Sequence, residues 1–248
     1  MVQETWLKNA PIAEALLDIR VRLPHGIDLP RLESFQDAIK DRYPSKQQRV
    51  AWQGSVQIKP GIQPRIEGSG GPQGFIFFSG DRRQAVQSRL DGFTFSRFKP
   101  YKTWDALLTE AKELWQRYVE VASPESVTRI ALRYINRIEI PLPLNAFRDY
   151  ILTVPEVAPG LPQALTGFFM QLVLPQPNLR AVAIVTETIE PPSENSKILP
   201  LIFDIDVFSD ASYEVGGNEM WSAFEELRLL KNKIFFESIT EKTKELLS

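Results

Sequence analysis

Arg129, Arg133 and Arg137 recur at every fourth residue within the stretch 127–141. On a β-strand that spacing puts all three on one face, successive guanidinium groups roughly 13 Å apart. The planar guanidinium fork matches carboxylate and phosphate oxygens, so such a row suits an anion or an acidic peptide. Ala131, Ile135 and Glu139 share that side. A solvated sheet face neutralised by cross-strand ion pairs is an equally simple account of the same residues. The other side carries Thr128, Ile130, Leu132, Tyr134, Ile138 and Ile140, with Asn136 among them. That is a core face containing one amide, and a buried amide requires a hydrogen-bond partner. Backbone, a helix end or a ligand in a cavity would each serve. The candidate ligand-binding set is therefore Arg129, Arg133, Arg137, Tyr134 and Asn136, together with Arg20 on the strand argued below to pair with this one.

Other chemistry is restricted by composition. The 248-residue chain has no cysteine and a single histidine, His25, between Pro24 and Gly26 in a turn-like setting. Thiol nucleophiles, thiolate metal sites, disulfides and histidine triads are excluded. Asp204 and Asp206 alternate on one strand face and could serve as an acid–base pair or metal ligands, but nothing nearby in sequence completes a coordination set. Gly68-Ser69-Gly70-Gly71 lacks the lysine and helix start of a phosphate loop, so a hairpin connection is expected. No catalytic residue, metal or cofactor is assigned, and the reading leans away from an enzyme. The net charge of −2 weighs against a dedicated nucleic-acid binder. The N-terminal segment 1–8 has no apolar signal core, and no run approaches the roughly 18 apolar residues of a membrane span. The expectation is a soluble, cytoplasmic protein.

These side chains need elements to position them. The stretch 11–23 alternates cleanly, with Ala13, Ala15, Leu17, Ile19, Val21 and Leu23 on one face and Glu14, Leu16, Asp18, Arg20 and Arg22 on the other. Asp28 and Pro30 open a helix whose apolar stripe is Leu32, Phe35, Ile39 and Tyr43. Strands are expected near 48–59, 74–79, 83–90 and 93–99, the first two joined through a glycine-rich loop at 68–74. Asp91-Gly92 forms a tight hairpin between the last two. Thr103 then caps a helix bearing Trp104, Leu107, Leu108, Ala111, Leu114, Trp115 and Tyr118. After the strand at 127–141 the pattern recurs. A helix is expected over Leu144, Phe147 and Ile151, then strands near 167–174, 179–189 and 198–208. A long helix follows Gly216-Gly217-Asn218 with Trp221, Phe224, Leu227, Leu230 and Ile234. Ser238-Ile239-Thr240-Glu241 has a capping-box pattern that marks a kink or a second helix. Ile234, Phe235, Phe236 and Ile239 nearly encircle that helix, so burial or a homodimer contact is expected. Lys231, Lys233, Lys242 and Lys244 read as a solvated basic end.

Together these elements predict an α+β protein built by tandem duplication of a strand–helix–three-or-four-strand–helix unit, residues 1–123 and 124–248. The two units join through their first strands into one pseudo-symmetric body. Arg20 in Ile19-Arg20-Val21-Arg22-Leu23-Pro24 then sits opposite Arg137 in Asn136-Arg137-Ile138-Glu139-Ile140-Pro141 and shares the arginine face. Element order is that of the duplicated TATA-box-binding-protein-like fold, with helices on one side of a curved antiparallel sheet. A helix-grip arrangement, in which the long C-terminal helix closes over the sheet, is the neighbouring layout.

Three segments also resemble a known family: Leu7-Lys8-Asn9-Ala10-Pro11-Ile12-Ala13-Glu14-Ala15, Ala131-Leu132-Arg133-Tyr134-Ile135-Asn136-Arg137-Ile138, and Leu229-Leu230-Lys231-Asn232-Lys233-Ile234-Phe235-Phe236-Glu237-Ser238-Ile239-Thr240-Glu241-Lys242. They are similar to a sporadically distributed, uncharacterised family of bacterial proteins of about this length. That resemblance implies an accessory role and supplies no activity to transfer. The functional expectation is a binding or interaction protein that holds a peptide, a small ligand or a partner protein on an open sheet face or in a cavity. The alternative is a helix-grip-type enzyme or small-ligand protein.

Overall fold

A computed structural model describes residues 7–57, 65–163, 165–193 and 196–248, with the side chains of 51–57 and 65–69 outside the description. The opening hexapeptide of the segment read as lacking a signal core, the strand residue Ile58 and the loop residues Glu194 and Asn195 lie outside the described residues. The chain is α+β, and the described residues form an open sheet of nine antiparallel strands. Their bounds are β1 (Ile12–Arg22), β2 (Ser45–Gln57), β3 (Arg65–Phe78), β4 (Gln84–Arg89), β5 (Gly92–Phe98), β6 (Ser126–Pro141), β7 (Phe169–Gln176), β8 (Ala181–Ile189) and β9 (Ile198–Ser209). Their spatial order is β2-β3-β4-β5-β1-β6-β9-β8-β7. The two long alternating strands thus lie side by side at the centre, and each is followed outward by the last strand of its own half.

The β1–β6 register sets which residues share a face. Leu17 pairs with Leu132, Ala15 with Tyr134 and Ile19 with Ile130, and all six are buried. Register slips between Arg20 and Val21, so Val127 enters the core in place of Thr128. Helices of the described residues pack against this apolar face. Over the first half pack α1 (Leu29–Glu33), α2 (Phe35–Ile39) and α3 (Trp104–Ala122), and α4 (Asn218–Ser238) crosses β6 and β9, followed by α5 (Glu241–Leu246). One core cluster runs beneath them all, from Leu32 and Phe35 through Phe93, Trp115, Leu132 and Phe203 to Phe235 and Leu247.

Local chemistry explains the helix ends. Thr103 accepts from the Ala106 N–H and Asp28 from the Arg31 N–H, each satisfying a donor that an uncapped first turn leaves bare. Ser123 ends α3 in the left-handed region, its N–H donating to the Val119 carbonyl. Gly92 begins β5 with φ +151°, and a Cβ there would stand 2.1 Å from the Ile19 carbonyl oxygen. Only glycine lets β5 and β1 approach at that point.

Four expectations are corrected. The glycine-rich segment 68–74 is not a loop: it belongs to β3, paired with β2 from Gln57 to Ser45. Glycine weakens a strand, but a flanking strand that supplies ladder hydrogen bonds holds this segment extended. The helix over Leu144, Phe147 and Ile151 is reduced to a 3-10 turn at Phe147–Asp149 without a side-chain cap. Pro141 and Pro143 precede it, and too few residues remain to offset helix nucleation. The helix over 28–43 breaks at Ser34 into α1 and α2, although Leu32, Phe35, Ile39 and Tyr43 are all buried as its stripe requires. After α4 the cap of the second helix is Thr240, whose hydroxyl accepts from the Thr243 N–H, rather than Ser238. Phe235 stacks on Phe203, Ile239 is buried, and Ile234 and Phe236 pack against the same core, so this apolar girdle is used within the chain.

Leu132→Ala removes a fully buried side chain at the central seam. It should cost about 2–5 kcal/mol of unfolding free energy, read by urea denaturation. The same truncation at Leu161, which is exposed, should stay within about 0.5 kcal/mol of wild type.

Candidate functional site

On the face opposite the helices, Arg129, Arg133 and Arg137 project from β6 as their spacing requires, and Arg20 stands directly across the seam from Arg129. Each meets acid. Arg133 forms a fork on Asp204, with Nε–Oδ1 2.9 Å and Nη2–Oδ2 2.5 Å, which holds its guanidinium in the charged form. Arg137 donates to Glu139 at 2.5 Å and to Glu190 at 3.1 Å. Arg129 lies 3.7 Å from Asp18 and 3.6 Å from Asp210, its guanidinium 4.2 Å from the centre of the Phe208 ring. The arginine row is a charge-compensated line whose members remain accessible, Arg133 keeping 41% of its side-chain surface in water.

The line is anchored by a buried cluster. Asp18 Oδ1 accepts from Arg89 Nη2 at 2.8 Å and from the Thr94 hydroxyl at 2.6 Å, while Asp18 Oδ2 accepts from Arg20 Nε at 3.0 Å. Arg89 also donates to Asp91 at 2.8 Å, and Arg20 reaches the other oxygen of Asp91. Arg89 and Asp18 are 2% and 7% exposed. Burial alone would push the Asp18 carboxyl up, but Arg89, Thr94 and Arg20 outweigh it and hold it below the ordinary range. Asp204 and Asp206 play unequal roles. Asp204 is bound by Arg133, whereas burial raises Asp206 despite the nearby Arg129 and Arg133, and its Oδ1 has no partner among the described residues. Among those residues no cluster of acidic and histidine side chains has metal-binding geometry, and His25 is exposed in its turn.

Tyr134 and Asn136 point the other way, beneath the helices, so the six candidate residues do not form one site. Asn136 Nδ2 donates to the Phe203 carbonyl at 3.0 Å, a backbone partner of the kind its burial demands. Tyr134 exchanges a 2.9 Å hydrogen bond with Tyr101, and burial raises both phenols. Lys231 from α4 sits with Nζ 3.8 Å above the Tyr134 ring. It is buried, not part of a solvated basic end, and burial, aided by Arg228, pushes its ammonium down to about 7. Farther along the same face Glu187 on β8 is buried with Oε2 unpartnered among the described residues, and burial pushes its carboxyl up to about 7.

Sequence reasoning missed Arg89, Thr94 and Glu187, and placed Lys231 in water. Asp91 is itself half of the Asp91-Gly92 hairpin signal and Arg89 stands two residues before it, so both read as turn residues rather than as charges. Glu187 does stand out in retrospect, as the one acid on the Ala181, Ala183, Val185, Ile189 face. No protein-family model matches the chain, and no curated protein matches it significantly.

Arg89→Met leaves Asp18 buried without its main cation and should lose about 3–5 kcal/mol in denaturant unfolding at pH 7. Because the folded Asp18 carboxyl titrates below its unfolded value, its stabilisation is present above pH 3.8 and fades as pH falls through the lower folded value. Asp18→Asn should therefore flatten the acid limb of the stability curve.

Glu187 and Lys231 act oppositely. The Glu187 penalty grows as pH rises from 4.5 to about 7, so Glu187→Gln should match wild type near pH 4 and exceed it above pH 7. The Lys231 penalty grows as pH falls from 10.5 to about 7, so Lys231→Met should gain about 1–4 kcal/mol at pH 7 and less as pH approaches 10.5. Urea titrations across pH check both.

Proposed function

We propose that this chain is a non-enzymatic binding protein whose arginine-bearing sheet face takes an anionic ligand or an acidic segment of a partner protein. The observation carrying the reading is the continuous line of Arg20, Arg129, Arg133 and Arg137 on the side of the central strands that faces away from their buried core residues. Two of their carboxylate partners are exposed, Asp91 retaining 44% of its side-chain surface and Glu139 52%, whereas Asp18 and Asp204 are buried. An incoming carboxylate or phosphate then exchanges with the exposed Asp91 or Glu139 rather than with the buried Asp18 or Asp204, which keeps the cost of exchange low. In the same reading residues 1–123 and 124–248 are two copies of one unit, in keeping with the mirror-like strand order about β1 and β6 and a TATA-box-binding-protein-like layout. No helix of the described residues is long and apolar enough to cross a membrane, and a cytoplasmic setting belongs to this proposal.

One observation favours the helix-grip alternative of an enzyme or small-ligand protein. Tyr101, Tyr134 and Lys231 bring polar atoms together between α4 and the sheet.

Calorimetric titration with citrate and inorganic phosphate at low salt separates the two. Binding on the open face should weaken as salt rises and fall at least tenfold in Arg133→Ala/Arg137→Ala, while Lys231→Met leaves it unchanged. Equal affinity in wild type and the double variant removes the arginine row from function.

A further inference from the structure

The sheet register assembles a row that no single strand reveals. Reading across β2, β3, β4, β5, β1 and β6, the paired residues are Arg49, Gly74, Arg89, Gly92, Arg20 and Arg129. Arginine is interrupted only by glycines, which leave room for the neighbouring guanidinium stems. At Gly74 a Cβ would stand 2.2 Å from the Ser88 carbonyl oxygen, so no side chain fits there. Acid partners do not run the whole length. Asp18 and Asp91 serve Arg20 and Arg89, and Asp18 and Asp210 serve Arg129. Arg49 forms no ion pair among the described residues. Burial, and then repulsion from Arg89, disfavours its charge, and the more distant Asp91 and Asp18 offset this only in part. Among the described residues the row therefore ends in a cation without an ion-pair partner of its own.

That cation lies on β2, which ends the sheet order, and no described strand pairs with its outer side. β2 holds Lys46 and Arg49 and no acidic residue. At its protected end Lys46 bridges to Glu33 and covers the Phe75 ring, so its charge is already used on the helix side. An edge strand offers a row of free backbone donors and acceptors to an incoming extended chain. The added strand would set an alternate side chain about 5 Å from Arg49 on the arginine face.

We infer that the β2 edge binds an extended acidic peptide by strand addition, with one carboxylate of the peptide closing the arginine row at Arg49. This rests on the anionic-ligand reading and specifies its occupant. The incoming chain alternates, acidic toward Arg49 and apolar toward Lys46 and the flank of α1.

The probe is an end-blocked octapeptide of alternating glutamate and valine, labelled for anisotropy and titrated into the full chain. Its controls are an alternating lysine–valine octapeptide and a block peptide of four glutamates followed by four valines. The glutamate–valine probe should bind, slow amide exchange within 45–50, and outcompete the block peptide. Arg49→Ala should weaken it at least tenfold, and Arg49→Glu should transfer preference to the lysine–valine peptide, which also shows that the variant is folded. Unchanged binding by Arg49→Ala, no binding, or protection confined to another strand overturns the edge site. If affinity instead falls only in Arg133→Ala/Arg137→Ala, the edge assignment fails while the anionic-ligand reading stands. Complete displacement by a mixed single-stranded oligonucleotide, with no protection at 45–50, assigns the charge row to a nucleic acid and also overturns the proposal.

Discussion

The backbone ladder between β1 and β6 is the constraint on which the rest depends. It is the one junction joining five strands from the first half to four from the second. Side chains alternate along both strands, so its register decides two faces at once: a one-residue slip would expose Leu17 and Leu132 and drive Asp18 and Arg133 under the helices. Both penalties are large, so the pairing is strongly specified. Helices α3 and α4 reinforce it from above. Trp104 at the start of α3 donates to Glu225 in α4 at 2.6 Å, linking the covers of the two halves directly over the seam.

The opposite face carries the electrostatic counterpart. An arginine row on a central strand, left alone, would be self-repelling, and a bare Asp18 between strands would be poorly solvated. Setting them in one lattice solves both, since Asp18 faces Arg20, Arg89 and Arg129 at once. The overall charge of −2 conceals this arrangement because acid and base are matched locally rather than separated. The chemical interest of the surface lies where matching stops, at the sheet's outer strand.

Much of the scaffold was legible because alternation is a local property. The faces of β1 and β6, the Thr103 cap and the Asp91-Gly92 hairpin can each be read from a short window. What escaped depends on partners distant in sequence. Asp18 meets Arg89, and Arg133 meets Asp204, each across 71 residues, so their pairing is visible only after the strand order is known. Segment 68–74 has weak intrinsic strand preference, and β2 imposes the extended state on it. Lys231 looked solvated because its neighbours Lys233, Lys242 and Lys244 are; a single helical step turns it onto Tyr134. For the candidate site, the arginine side was legible from spacing. The separation of Tyr134 and Asn136 from it was legible too, whereas Arg49 joins the row only through four intervening strand pairings.

The order of the central strands also has a history in synthesis. β1 is made early, and its outer neighbour β6 starts at Ser126, after β2 to β5 and α3 have all been made. Were β2 to β5 to assemble on β1 during that interval, β1 would be a temporary boundary of the nascent sheet. Its Asp18 would then have its finished-fold partners Arg89 and Thr94, both synthesised by the end of β5. Glu14 and Arg20 stand beside it, so the waiting edge is charged, and charge on an exposed edge deters pairing with strands of other nascent chains. The same side chains that balance the finished surface would then guard the unfinished one.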